Sequence, residues 1–212
     1  GDTVIVAPGI YYGGFSINKR LTFASKHVFT GDSLDISNTI LDGGWGTRVL
    51  HLLAYSNNSV IQGFTIQNGR NYYGGGILCG RSSSPYPNPT MSHLKIINNT
   101  AYQQPGGGIW CLNGSPMIND VVIDGNTNYG IYCEYSSPRL NNVIISNNSA
   151  NEGGGIRCTY FSSPTFVNVS ITNNSTPNNG GGIYLSGSNP TMVNVTFSDN
   201  LASEEGGGIY CQ

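Results

Sequence analysis

Charged side chains are scarce in this 212-residue chain, where Asp, Glu, Lys and Arg together supply 9% of the residues. An average globular protein carries about 25%. The net charge is −2, so the chain lacks the basic field that nucleic-acid binding requires. No apolar run approaches the roughly 20 residues that cross a bilayer, and we therefore expect no transmembrane segment.

Glycine, by contrast, is abundant and recurs in an ordered pattern. The tetrad Gly-Gly-Gly-Ile starts at positions 74, 106, 153, 180 and 206, and a reduced copy, Tyr-Gly-Ile, starts at position 129. Subtracting successive Ile positions (77, 109, 131, 156, 183 and 209) gives spacings of 32, 22, 25, 27 and 26 residues. Cys or Leu follows each Ile by two positions, and five copies continue into a Pro, a Val-x-Ile-like segment and an Asn. Periodicity of this kind indicates a solenoid.

Each repeat is predicted to contribute two short strands, Ile-x-Cys and Val-x-Ile, whose alternate residues face the interior. A strand pair this short cannot bury its apolar face alone, so the copies must stack. The pattern therefore predicts an all-β parallel β-helix of about seven to eight turns. We expect one domain over residues 1–212, with irregular turns over 1–73 and regular repeats over 74–212.

The last Asn of each repeat is expected at a left-handed bend, with its amide bonded to the next Asn along the stack. This column consists of Asn99, Asn126, Asn148, Asn174 and Asn200.

The five cysteines follow the repeat period and share the inward face with the Ile column. We expect a stacked column of free thiols in the core, where Cys behaves as a small apolar residue. Disulfides between neighbouring turns are the alternative, because adjacent parallel strands lie within bridging distance.

The opening segment, residues 1–11, resembles the start of many secreted bacterial members of the pectin-lyase-like superfamily of right-handed parallel β-helices. The resemblance implies a right-handed coil. In those relatives a short amphipathic helix precedes this segment, and its absence here leads us to expect a fragment of a longer chain with further domains.

The pairing of Gly-Gly-Gly-Ile with Ile/Phe-x-x-Asn, seen at 145–148 and 197–200, is also similar to the repeats of chlamydial polymorphic outer-membrane adhesins. This similarity implies an extracellular or cell-surface location. Neither resemblance carries an activity, since one fold hosts many functions.

The residue between Ile and Cys of each repeat is predicted to point outward and to form an exposed, flat strip. After Leu78, this column reads Trp110, Tyr132, Arg157, Tyr184 and Tyr210. Sugar rings pack their C–H faces on such aromatic strips, and Arg157 can donate to hydroxyl or carboxylate oxygens. The alternatives are that the rings shield the sheet by stacking on one another or that loops cover them. Tyr72, Tyr73 and Tyr102, in lengthened approaches to neighbouring turns, mark a second possible ligand contact.

Arg157, Glu134 and Glu152 are the candidate catalytic residues if the chain is an enzyme. Relatives that cleave polyuronides often abstract a proton with a basic residue and hold Ca²⁺ with several carboxylates, so the resemblance implies these roles. The carboxylates here are too few for a Ca²⁺ cage of six to eight oxygens, and a plain ion pair is the alternative. A hydrolase with paired acids is a weaker alternative, since Asp120 and Asp124 lie on another face.

Three hypotheses about function follow. The first, which we favour, is a non-catalytic extracellular module that binds a polysaccharide or cell-surface glycan through the aromatic column, without cofactor or metal. The second is a polysaccharide lyase acting on a uronate-containing glycan, for which Ca²⁺ would be the cofactor. The third is a structural repeat arm of a surface protein.

Overall fold

Parallel pairing between successive turns organises the part of the chain that the structure describes. The computed structural model describes residues 1–80, 84–103 and 105–212. Eight short strands, one from each turn, pair side by side in a single sheet. The molecule is therefore a parallel β-solenoid of eight turns, which confirms the all-β parallel β-helix of about seven to eight turns predicted from the repeat.

In chain order the strands are β1 Asp2–Val6, β2 Gly9–Tyr12, β3 Phe15–Ile17, β4 Leu21–Ser25, β5 Thr39–Asp42, β6 Leu50–Leu52, β7 Val60–Gln62, β8 Thr65–Gln67, β9 Arg70–Asn71, β10 Ile77–Gly80, β11 Thr90–Ile97, β12 Thr100–Ala101, β13 Ile109–Leu112, β14 Met117–Asp124, β15 Ile131–Glu134, β16 Arg139–Ser146, β17 Ile156–Thr159, β18 Thr165–Thr172, β19 Ser175–Thr176, β20 Ile183–Leu185, β21 Thr191–Ser198, β22 Leu201–Ala202 and β23 Ile209–Cys211. The helices are α1 His27–Thr30, α2 Ser33–Asn38 and a 3₁₀ turn at Ala54–Ser56.

The Ile-x-Cys segments form what we call the short-strand sheet, in the order β3-β6-β10-β13-β15-β17-β20-β23. Its register is the one the repeat predicts, since Ile77 lies beside Ile109 and Cys79 beside Cys111. The Val-x-Ile segments belong to a larger, 11-stranded sheet that includes β11, β14, β16, β18 and β21. A third, narrow ladder contains β9, β12, β19 and β22, with single bridges at Thr127 and Ser149 between them.

The strands of the larger sheet are longer than the sequence predicted. Each regular repeat contributes an eight-residue strand in which Val-x-Ile is only the second half. A left-handed residue bends each strand between its two halves, and these residues are His93, Asp120, Asn142, Asn168 and Asn194. We missed the first half because it follows a Pro corner and varies in composition.

In the second turn, α1 and α2 replace this single bending residue. They lie between β4 and β5, which pair with β7 and β8 on either side of Gly63 in the next turn. Asp32 caps α2 by accepting a hydrogen bond from the Leu34 amide at 2.9 Å, as expected for an N-cap. Among the described residues, no helix is both long and apolar enough to cross a membrane.

The interior is a single column of stacked aliphatic, Phe and Cys side chains that extends through the turns. The thiols of Cys79, Cys111, Cys133 and Cys158 are free and buried in it, while Cys211 is free and exposed. Burial raises the pKa of the Cys79 thiol well above its ordinary value. The expected column of small apolar thiols is thus present in the core.

An inner ladder of amides joins the regular turns. Each Nδ2 donates to the Oδ1 of the next member toward the C-terminus at 3.0–3.1 Å, and the members are Asn99, Asn126, Asn148, Asn174 and Asn200. The predicted amide ladder is confirmed, but the left-handed bend lies one residue earlier, at positions such as Asn98, Asn147 and Asn173. The bend and the ladder therefore need separate residues.

A second ladder lies on the outer surface and donates in the opposite direction. Asn194 donates to Asn168, Asn168 to Asn142 and Asn142 to the Asp120 carboxylate, at 2.7–3.1 Å. These are the residues that bend the long strands.

The Gly-Gly-Gly segment is required where successive turns approach each other closely. Gly106 has a φ of +89°, which side chains rarely tolerate. A Cβ at Gly107 would lie 2.1 Å from the Thr127 carbonyl oxygen, and one at Gly108 would lie 2.4 Å from that of Gly130. A bulkier residue would separate the turns.

The inner ladder is expected to contribute more stability than the outer one. In Asn148→Ala, the Asn126 amide and the Ile123 carbonyl lose buried hydrogen bonds, which should lower the free energy of unfolding by about 2–4 kcal/mol. The outer variant Asn168→Gly, which suits the left-handed backbone, should cost less than about 1 kcal/mol because water replaces its partners. Urea denaturation measures both, and equal costs would contradict this role of the inner ladder.

Candidate functional site

The column between Ile and Cys forms in the predicted register. Trp110 lies beside Tyr132, Tyr132 beside Arg157, Arg157 beside Tyr184, and Tyr184 beside Tyr210. The predicted exposure of this column is wrong for most of it. Trp110, Tyr132 and Tyr184 are only 6%, 7% and 4% exposed, whereas Arg157 and Tyr210 are half-buried.

Neighbouring side chains cover the column. The Tyr73 ring stacks on Trp110 with 5.4 Å between centroids, and the Tyr129 ring lies 5.4 Å from that of Tyr132. Together Leu78, Trp110, Tyr129, Tyr132 and Ala150 form a second apolar cluster on the outside of the short-strand sheet. The alternative in which the rings shield the sheet therefore accounts for Trp110.

Tyr73 belongs to the second predicted contact area. Its ring lies 4.5 Å from that of Tyr72, which meets Tyr102 edge-on at 5.8 Å. Tyr102 remains exposed.

Arg157 is the centre of the polar part of this face. Its guanidinium donates to the Tyr129 hydroxyl at 2.8 Å and forms an ion pair with Glu152 at 2.9 Å. It also lies over the rings of Tyr129, Tyr132 and Tyr184, at 5.1–5.9 Å from their centroids. Arg157 and Glu152 are thus brought together as an ion pair.

Glu134 approaches the same place from the preceding turn without pairing directly. It lies beside Thr159 in the strand register and within electrostatic range of Arg157. Burial raises the pKa of Glu134, and Trp110 and Arg157 offset part of that rise. The Trp110 indole N–H itself makes no hydrogen bond of normal geometry within the described residues.

An open cleft of about 340 Å³ lies over these residues, and we call it the Arg157 cleft. Its main lining residues are Asn128, Tyr129, Tyr132, Glu134, Arg157 and Tyr160. A second cleft of about 410 Å³ adjoins it, reaches Tyr102, and shares Gln103, Asn128 and Asn151 with the first. Of the predicted column, Tyr132 and Arg157 line the Arg157 cleft, while Trp110, Tyr184 and Tyr210 do not.

Sequence reasoning missed Tyr129 and Tyr160 as lining residues. Tyr129 stands where the other repeats have the middle Gly of the tetrad, and its own backbone is left-handed with a φ of +76°. Tyr160 follows the strand that carries Arg157 and has a φ of +53°. A large residue in a position that favours Gly is a signal that could have identified both.

The pKa shifts of Arg157 and Tyr132 favour the protonated forms of these two groups. Burial lowers the pKa of Arg157, but the nearby Tyr129 and Glu152 outweigh burial and carry it above its ordinary value. Burial raises the pKa of Tyr132 to about 12. Burial likewise raises the pKa of Tyr184, which lies outside the cleft with its ring against Arg157. Proton abstraction requires a base that is unprotonated at the working pH, and the surroundings of Arg157 oppose that state.

The residues around Arg157 do not fit a Ca²⁺ site. Ca²⁺ takes six to eight oxygen ligands, whereas the carboxylate of Glu152 is engaged by a guanidinium. Within residues 1–80, 84–103 and 105–212, no three His, Cys, Asp or Glu side chains converge in a way that could hold a metal ion.

The Asp pair considered for hydrolysis is engaged in the surface of the larger sheet. Asp124 accepts hydrogen bonds from Ser146 at 2.6 Å and Asn147 at 2.7 Å. Asp120 accepts from Asn142 in the outer ladder.

Two family models match this chain. One describes a right-handed beta helix region and matches residues 27–202. The other describes a repeat of the Chlamydia polymorphic membrane protein and matches residues 194–212. Neither the curated proteins nor the solved structures contain a match. Both resemblances stated from the sequence are confirmed, the second over the last repeat alone.

Burial of Trp110 predicts that it acts on stability. Trp110→Ala should lower the free energy of unfolding by about 3–5 kcal/mol, as expected for a buried Trp. Trp45→Ala is the matched control, because Trp45 is exposed and should change stability by no more than about 0.5 kcal/mol. Urea denaturation followed by circular dichroism measures both free energies of unfolding. A similar small loss of stability in both variants would disprove the burial of Trp110.

Burial of Tyr132 predicts a loss of stability at alkaline pH. In the unfolded chain a tyrosine ionises near pH 10, whereas the folded pKa of Tyr132 is about 12. The contribution of this phenol is thus fully present below about pH 10 and is lost as the pH rises toward 12. Tyr132→Phe should show a smaller decline in unfolding free energy over this range than the wild type, and the exposed control Tyr55→Phe should follow the wild type. Identical pH profiles for all three proteins would refute the raised pKa of Tyr132.

Proposed function

Because the chain belongs to the family of right-handed β-helix proteins, we propose that it is a non-catalytic repeat arm of a surface protein that binds carbohydrate in the Arg157 cleft. The observation that carries the proposal is the lining of this cleft, where Tyr160 and the edges of Tyr129 and Tyr132 lie among amide and charged side chains. Carbohydrate sites combine aromatic surface with a few placed polar groups.

The polar groups of the cleft suit sugar hydroxyls. Gln103, Asn128 and Asn151 each line it, and an amide side chain both donates and accepts hydrogen bonds. Tyr160 supplies an exposed ring, so a sugar can pack on it without displacing a core residue. The adjoining cleft with Tyr102 extends this surface toward the preceding turn, and an oligosaccharide longer than one residue would reach it.

The state of Arg157 supports binding over lyase chemistry. A catalytic base must accept a proton, but Arg157 is held by Glu152 and Tyr129, and both raise its pKa. The poor fit to Ca²⁺ points the same way. Arg157 therefore acts in this proposal as a fixed donor and as a support for the surrounding rings.

A surface location is supported by the similarity of residues 194–212 to the repeat of the Chlamydia polymorphic membrane protein. A solenoid suits such a role because its stacked turns form an extended surface for contact.

Binding of immobilised glycans to the full chain tests the proposal. Tyr160→Ala should weaken retention of the glycan that binds by about tenfold, because it removes the exposed ring. Tyr55→Ala removes another exposed ring, one that lies outside the cleft, and should retain the wild-type affinity. Equal affinity of Tyr160→Ala and the wild type would place the binding elsewhere.

The same glycans should stay intact during the experiment. Polygalacturonate and neutral polysaccharides, incubated with and without Ca²⁺, should release neither unsaturated nor reducing ends. Turnover that Arg157→Lys abolishes would favour the lyase instead.

A further inference from the structure

The charge balance of the Arg157 cleft is the feature that bears on ligand choice. Arg157 is its cation among the described lining residues, and Glu152 neutralises it at 2.9 Å. Glu134 also lines the cleft, where Trp110 and Arg157 offset only part of the effect of its burial, and within the described residues it forms no ion pair. The remaining lining groups are amides, a proline and tyrosines, so the two carboxylates and one guanidinium give this place a net negative charge.

The aromatic wall of the cleft is held in place at an energetic cost. Tyr160 stacks on Tyr135 of the preceding turn, with 4.8 Å between centroids and 15° between planes. Both have left-handed backbones, with φ of +53° and +49°, as do Asn113 and Gly187 at the same corner of neighbouring turns. Asn and Gly suit that conformation, whereas a bulky residue there is strained.

Burial does not compensate for this strain, because Tyr135 and Tyr160 are 53% and 52% exposed. Strained residues that persist at the surface are a feature of functional sites. Gly187 follows at the same corner of the next turn, and a Cβ there would meet nothing within 4 Å. Space is thus open beside Tyr160 on the side away from Tyr135.

Resting on the proposed function, we infer that the Arg157 cleft selects amino sugars with a free, protonated amine, with the sugar ring on Tyr160 and the ammonium group on Glu134. A uronate would place its carboxylate near Glu134 while Arg157 is already paired, so like charges would repel. The π-face of Tyr160 adds to the preference, because aromatic faces attract cations. The rings of Tyr129, Tyr132 and Tyr184 already make cation–π contacts with Arg157.

The setting of Glu134 strengthens this contact. The carboxylate is partly buried, and burial raises its pKa. A charge interaction at a partly desolvated site is stronger than one in open water. An ammonium group that approaches Glu134 thus replaces the contacts with water that the carboxylate lost on burial.

Calorimetric titration of the full chain with three short oligomers tests the inference: glucosamine, N-acetylglucosamine and galacturonate. The pH is set between the pKa values of the carboxylates and the amines. We expect glucosamine oligomers to bind at least about tenfold more tightly than N-acetylglucosamine oligomers, and galacturonate not to bind. Raising the salt concentration should narrow the difference in affinity between glucosamine and N-acetylglucosamine oligomers, because salt screens charges.

Two variants separate the contribution of the Glu134 charge from that of the Tyr160 ring. Glu134→Gln should reduce glucosamine affinity to that of N-acetylglucosamine and leave the latter unchanged, whereas Glu204→Gln, an exposed acid outside the cleft, should change neither. Tyr160→Ala should weaken both amino-sugar oligomers.

Each failure has its own signature. If no glycan binds, the proposed function fails. If galacturonate or N-acetylglucosamine binds as tightly as glucosamine, with Tyr160 still required, the function stands and the preference for an amine is refuted. If oligolysine binds as tightly as glucosamine oligomers, the cleft recognises basic chains and the assignment to a sugar is overturned.

Discussion

The parallel register between turns is the constraint on which the other features of this molecule depend. It holds because each turn approaches the next closely enough for backbone pairing, which the Gly-Gly-Gly segments permit, and because the inner ladder links one turn to the next through Asn148 and its counterparts. A shift by one residue would send every inward side chain outward. The order of the side chains in every stacked column, inside the solenoid or on its surface, follows from this register.

The Arg157 cleft is a product of that order combined with one irregularity. The reduced repeat lacks two of the usual glycines and carries Asn128 and Tyr129 in their place. Tyr129 packs against Tyr132 and binds Arg157 from the next turn. The departure from the repeat therefore creates a polar cleft on a surface that is otherwise covered by rings.

Much of the architecture could be predicted from the sequence because it is periodic. The pairing of Trp110 with Tyr132, and the inner amide ladder, follow from counting positions. The exposure of Trp110 could not be predicted in this way, since it depends on the Tyr73 ring, which reaches it from the preceding turn. The division between a left-handed Asn147 and a ladder-forming Asn148 was also hidden, because the two residues are chemically identical neighbours.

The opposed directions of the two amide ladders have a consequence for the length of the molecule. An α-helix accumulates a dipole because its peptide groups all point one way. Here each inner amide donates both to the next Asn toward the C-terminus and to an Ile carbonyl of the preceding turn, while the outer amides donate toward the N-terminus. A duplicated turn that keeps its inner Asn therefore adds side-chain hydrogen bonds that point both ways along the stack. Such a solenoid can gain or lose a whole turn and still provide hydrogen-bond partners for the Asn amides on both sides of the junction.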